Sequence, residues 1–191
     1  LGFNFEENGP GFTFFFVRNI LRETPQEKRI DLAVDEAHSR MVFVSETPDE
    51  FSLSTVDIAA LGGGQPGSSL FKMPRSTFSS GFKQFAVHGR SNTFIFTELR
   101  EINGIAHHYI RGFDEAGVQR FEVRLGADIS NLVVDEMAGL IYVADNNKTY
   151  RAKLLAIDVA NGEVRELVEK NSEVPHGAFT GLTLDQINNR L

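Results

Sequence analysis

Apolar and polar positions in this chain alternate or run in short bursts, and no 3.6-residue periodicity is sustained long enough for a helix. Four segments share one pattern of apolar residues closing on a polar one: Leu32-Ala-Val-Asp35, Phe85-Ala-Val-His88, Leu132-Val-Val-Asp135 and Leu182-Thr-Leu-Asp185. They recur at intervals of about fifty residues, the spacing of a repeat architecture. The first three lead through short polar turns into Met41-Val-Phe-Val-Ser-Glu46, Phe94-Ile-Phe-Thr-Glu98 and Leu140-Ile-Tyr-Val-Ala-Asp145. β-Branched and aromatic residues in runs of this length, bounded by turn residues, read as strands. A third strand fits Ser54-Thr-Val-Asp57, Tyr109-Ile-Arg-Gly-Phe-Asp114 and Leu154-Leu-Ala-Ile-Asp158. The last two of these are followed by glycine-bearing turns, Glu115-Ala-Gly117 and Ala160-Asn-Gly162, as hairpins prefer. A fourth fits Leu70-Phe-Lys-Met73, Phe121-Glu-Val-Arg-Leu125 and Glu163-Val-Arg-Glu-Leu-Val168.

Four antiparallel strands per repeat, the first apolar on both faces, predict an all-β fold of β-propeller type. A β-sandwich is the alternative, but a sandwich does not require one motif to return at a fixed interval. The expected units are the outer strands of a preceding blade over residues 1–31, blades over 32–82, 83–129 and 130–178, and the first strand of a further blade over 179–191. They form one propeller domain. The repeat is broken off at the last residues, so the chain is expected to be part of a longer polypeptide: a partial ring, or a four-bladed ring closed by a shared blade.

Composition narrows the chemistry. The chain has 191 residues, 41% of them apolar and 24% charged, which is ordinary globular composition. The absence of cysteine removes disulfides, thiolate nucleophiles and Cys-based zinc sites. A net charge of −7 argues against a phosphate-binding surface and hence against nucleic acid as a partner. The longest apolar stretch, Phe12-Thr-Phe-Phe-Phe-Val17, is too short to span a bilayer. The glycine-rich Leu61–Ser69 lacks the lysine of a phosphate loop and reads as a connection between strands.

The strand-end acids Glu46, Glu98 and Asp145 are the leading candidate site, because the loops that follow second strands share a face with the loops entering the next blade. With Asn146 beside Asp145, they offer an oxygen-rich set suited to calcium or another divalent ion; the competing expectation is that each acid accepts backbone N–H bonds in a tight loop. Asp35, Asp135 and Asp185 start turns on the opposite face and are expected to cap them, with His88 filling the same place through a ring nitrogen. His107 and His108 are neighbours on a strand and point to opposite faces, so they do not chelate one ion together. His176, in a loop beside Pro175 and Gly177, is the weak catalytic candidate, as a general base. Phe14, Phe16, Phe43, Phe94 and Phe96 are expected to pack between blades, while Phe78 and Phe82 lie in a connection where they pack in the core or line a ligand site.

The succession Val-Asp, polar turn, Tyr142-Val-Ala-Asp145, Leu155-Ala-Ile-Asp158 and Asn161-Gly162-Glu163 resembles the six-bladed NHL, YWTD and regucalcin/gluconolactonase propellers. Leu154–Leu191 is similar to repeat arrays in uncharacterised bacterial extracytoplasmic proteins, and the resemblance implies a periplasmic or secreted location. Two functions are expected, the leading one because the blade pattern is well kept and carries no recognisable catalytic set, the alternative because of the resemblance. One is a non-catalytic scaffold that binds a protein or small molecule through channel-face loops. The other is a divalent-metal-dependent lactonase or hydrolase, in which the ion polarises the carbonyl or activates water. The latter family's Asn-Gly-Leu asparagine is displaced here, to Ser130-Asn131-Leu132, or absent, at Thr180-Gly181-Leu182. Its early Glu-Gly-Pro element has only Asn8-Gly-Pro10 as an echo. No haem or quinone motif is present.

Overall fold

The computed structural model describes residues 28–59, 67–78, 81–126, 128–147, 151–169 and 181–185. These residues form twelve strands in three four-stranded antiparallel sheets, each a simple meander. Sheet one holds β1 (Lys28–Asp35), β2 (Arg40–Glu46), β3 (Glu50–Asp57) and β4 (Ser68–Pro74). Sheet two holds β5 (Phe82–His88), β6 (Thr93–Ile102), β7 (Ile105–Phe113) and β8 (Gln119–Arg124). Sheet three holds β9 (Val133–Asp135), β10 (Leu140–Asn147), β11 (Arg151–Asp158) and β12 (Val164–Glu169). The all-β class and the four-stranded units follow the sequence pattern. The sheets are separate, and among the described residues they do not close into a ring, which corrects the alternative of a four-bladed ring closed by a shared blade. Phe14, Phe16 and His176 lie outside the described residues, as does most of the glycine-rich connection, although Ser68 and Ser69 belong to β4.

The first two strands of each sheet are joined by the same turn, and its chemistry is readable residue by residue. Asp35 Oδ1 accepts the His38 N–H at 3.2 Å, and Asp135 Oδ1 accepts the N–H groups of Met137 and Ala138, both at 2.9 Å. His88 takes the place of the acid, its Nδ1 accepting the Ser91 N–H at 3.3 Å. The fourth residue beyond each capping side chain is left-handed: Ser39 at φ 50°, Asn92 at φ 50° and Gly139 at φ 69°. A short side chain that satisfies a backbone N–H and a residue tolerant of positive φ are what such a turn needs.

Side chains alternate across each strand, so every sheet has two faces, and the register assigns them. One face of sheet one carries Val42, Val44, Phe51, Leu53, Phe71 and Met73, which pack on Phe85, Val87, Phe94, Phe96 and Phe113 of sheet two. The opposite face of sheet two carries Ile95, Ile110, Phe121 and Val123, which pack on Ile141, Val143, Leu155 and Ile157 of sheet three. The sheets therefore stack face to face in chain order, and β1 lies against β5 as β5 lies against β9. Burying each of these side chains contributes about 1.5–3 kcal/mol. Phe78, in the connection between sheets one and two, is 2% exposed and sits edge-on to Phe51 at 5.5 Å, which places it in the core rather than at a ligand site.

At the turn end the sheets are also stitched by polar contacts. Arg40 donates through Nε to Asp35 at 2.7 Å and through Nη2 to Asn92 Oδ1 of sheet two at 2.6 Å. Glu136 of sheet three accepts the backbone N–H groups of Gly89 at 2.6 Å and Arg90 at 3.1 Å. Gly89 is thus held between two neighbours, and a Cβ there would collide with the buried Asp35 carboxylate. Gly89→Ala is expected to lower stability by about 1–3 kcal/mol through overpacking, seen as a fall in the urea midpoint with the slope unchanged.

Candidate functional site

The end of the stack opposite these turns carries the second-to-third-strand loops and the connections between sheets, and all the acidic candidates lie there. Their alignment differs from the expected one. Arg40, Thr93 and Leu140 pair with Asp35, His88 and Asp135, and counting from them puts Ser45, Glu98 and Asp145 at one register position. Glu46 is one residue further on, aligned with Leu99 and Asn146. A one-residue offset turns a side chain to the other face of its sheet. In the stack, Glu46 and Glu98 therefore face the gap between sheets one and two from opposite sides, whereas Asp145 faces the gap between sheets two and three, so the three acids share the loop-bearing end without converging on one point. The loops made this hard to see, because β2 ends at Glu46 whereas β6 runs four residues beyond Glu98.

Each acid has its own local partners. Glu46 is paired with Arg75 at 3.3 Å, and Arg75 also donates to the Thr47 carbonyl at 3.1 Å. Glu98 is fully buried and accepts from Arg100 Nε at 2.8 Å, with Arg111 Nη1 at 3.6 Å. Both arginines also reach Glu122, at 2.9 Å and 3.2 Å. Arg100 lies over the Tyr109 ring at 4.2 Å, and Arg111 lies over Phe78 and Phe113, each at 5.1 Å. Burial works against the Arg100 charge, but the hydrogen bonds to Glu98 and Glu122 outweigh it and hold its pKa above the ordinary value. Arg111 is shifted the other way, by burial first and then by repulsion from Arg100. These four groups form a charge network that closes the space between sheets one and two beyond the phenylalanine core.

Asp145 is placed differently. Its Oδ2 accepts the Gly126 N–H at 3.0 Å, while its Oδ1 is buried and has no hydrogen-bond partner. Burial raises its pKa, opposed by the Gly126 bond and the Lys153 charge. A Cβ at residue 126 would collide with that carboxylate, so glycine is required where the chain crosses from sheet two to sheet three. Asn146 lies on the other face of β10, and its backbone N–H donates to the Asp128 carbonyl at 2.7 Å. Among the described residues no group of three or more His, Asp or Glu side chains is arranged to hold a metal ion.

His108 belongs to this site, although the sequence pointed to it only as one of a pair. His107 and His108 face opposite ways, as expected: His107 Nε2 meets Arg124 Nη2 at 2.7 Å on the sheet-one side. His108 faces sheet three. Its backbone N–H donates to the Gly126 carbonyl at 2.9 Å, and its ring Nδ1 is buried without a partner. One conspicuous element was not singled out from the sequence at all. The β6–β7 hairpin extends three residue pairs beyond the level at which β2 and β3 end, closing on Asn103 (φ 53°) and Gly104 (φ 76°). Two successive positive φ angles are the signature of the tight hairpin turn that Asn-Gly favours, so the dipeptide itself was the available signal.

Fold and site together define an all-β protein of stacked four-stranded antiparallel sheets, with a polar, loop-bearing end. Among the described residues no helix is long and apolar enough to cross a membrane. No family model matches the chain, and no curated protein does. A crystal structure of a DUF4623 family protein from Bacteroides eggerthii is similar over 85% of this chain and 38% of its own length, at 14% identity and a TM-score of 0.43. This chain thus spans well under half the length of that protein. The resemblance to NHL, YWTD and regucalcin/gluconolactonase propellers is corrected by these findings: no family model of those groups matches the chain, and the described sheets are separate. The physical reason is that the motifs behind the resemblance encode hairpin turns. An aspartate capping a turn and a glycine closing one serve any antiparallel meander.

Proposed function

We propose that this chain is a non-catalytic binding scaffold whose three sheets act as successive blades of a propeller-type array. Its partner, a protein or a small molecule, engages the loop-bearing end. The stacking in chain order, with β1 beside β5 and β5 beside β9, supports the array. The observation that carries the binding role is the β6–β7 hairpin. It projects from the loop-bearing end with Ile102 and Ile105 37% and 58% exposed, paired across the strands at its tip. Exposed apolar side chains on a rigid two-stranded ribbon offer contact area without ordering a flexible loop on binding. Arg100 and His107 share that face of the ribbon at its base, Arg100 held by Glu98 and Glu122 and His107 in contact with Arg124.

The test is site-specific photo-crosslinking in the native host, with the probe placed at Ile105 or at Met137. Met137 is 68% exposed and lies in the β9–β10 turn at the other end of the stack. Partner adducts formed by the probe at position 105 that vanish when Ile102→Ser is added to the same probe-bearing chain, whose folding is checked by circular dichroism, are the expected result. Adducts formed only at Met137, or equally at both, would refute the assignment of the binding end.

A further inference from the structure

We propose that His108, Gly126 and Asp145 form an acid-released latch between sheets two and three, in which protonation of His108 frees the connection that crosses from one sheet to the other. Gly126 is the shared element. Its carbonyl accepts the His108 N–H at 2.9 Å, and its N–H donates to Asp145 Oδ2 at 3.0 Å. The next residues are held in the same way, Leu125 N–H on the His108 carbonyl at 2.8 Å and Asn146 N–H on the Asp128 carbonyl at 2.7 Å. The connection is therefore clamped between a strand of sheet two and a strand of sheet three by the two residues whose ring and carboxylate face each other across the gap.

Both facing side chains keep a buried atom without a hydrogen-bond partner, His108 Nδ1 and Asp145 Oδ1, so neither reaches the other. A proton placed on Nδ1 in the closed latch has no acceptor and loses its hydration, which is costly for a charged group. Asp128 and Asp145 attract a charge on His108, and Lys83 repels it. Burial is the largest influence and holds the imidazole pKa below its ordinary value. The sign follows. Once the pH falls through the ordinary imidazole value of 6.5, an opened, hydrated ring takes up a proton more readily than the closed latch does, and opening is favoured. The Asp145 carboxyl acts in the opposite sense: its raised pKa favours the closed state as the pH falls toward 3.8. Lys153 faces Asp145 and weakens that opposing effect. The latch does not depend on what the hairpin binds, and it stands or falls separately from the binding role.

Amide hydrogen exchange on the whole chain between pH 7.5 and 5.5, corrected for intrinsic rates, tests it. Protection of the His108, Leu125 and Gly126 amides is expected to fall on acidification, with a slope approaching about tenfold per pH unit, the limit set by uptake of one proton on opening. Amides of Val42 and Val44 in sheet one should hold their protection. The fall should persist in Asp145→Asn, whose amide oxygen still accepts from Gly126, and disappear in His108→Gln. Unchanged protection in the parent protein, or the same fall in His108→Gln, would overturn the latch. Should His108→Gln not fold, a nuclear magnetic resonance titration of the parent decides: an imidazole pKa at or above the ordinary value refutes the proposal.

Discussion

Glu98→Ala is expected to destabilise the protein by about 3–5 kcal/mol, because it leaves buried arginine charge without its counter-ion. Glu98 is fully buried, and Arg100 and Arg111 converge on its Oε2. Arg111 is 11% exposed and Arg100 24%, so water compensates Arg100 in part and Arg111 hardly at all. Glu122 stays in contact with both, which sets the expectation toward the lower end of that range. Urea denaturation of the parent and variant measures the difference. Glu98→Gln, which keeps the shape and an acceptor, should cost less. A loss below about 1 kcal/mol in the alanine variant, the scale of an exposed ion pair, would mean that the network is solvated and does not close the interface.

Phe78→Ala is expected to cost a similar amount, about 3–5 kcal/mol, by a different mechanism: a cavity between two sheets that cannot collapse to fill it. The ring lies 5.1 Å from Phe96, 5.5 Å from Phe51 and 6.0 Å from both Phe82 and Phe113, so four rings from two sheets converge on it. It is also the surface over which Arg111 lies, which couples the aromatic core to the charge network. Residues that share a partner in this way are not additive. The Glu98→Ala/Phe78→Ala double variant should therefore lose measurably less than the sum of the two single losses, and denaturation of all four proteins completes the cycle. Strict additivity would show that the core and the network act independently.

The same interface shows where reading the sequence stops. The runs Met41–Glu46, Phe94–Glu98 and Leu140–Asp145 were legible as strands because their residue types and bounding turns are local properties, and β2, β6 and β10 contain them. The capping roles of Asp35 and Asp135 were legible for the same reason, as was the replacement of the acid by His88, since a side chain and the backbone N–H it accepts lie within three residues. The alignment of the acids was not. Glu46 and Glu98 both end apolar runs, but run length does not report register, and a shift of one residue turns Glu46 toward sheet two while Glu98 points back toward sheet one.

By itself, the sequence determined that this protein is built of antiparallel four-stranded units, where their first turns fall, and which residues cap them. Those outcomes depend on side-chain period, β-propensity and turn chemistry, all of which act over a few residues. Only the tertiary structure decided that Phe78 is core, that Glu98 neutralises two arginines, that Gly89 must lack a side chain, and that His108 and Asp145 meet at Gly126. Each of these depends on which face of one sheet packs on which face of the next. That choice is made by shape and burial between residues far apart in the chain, and no local pattern carries it.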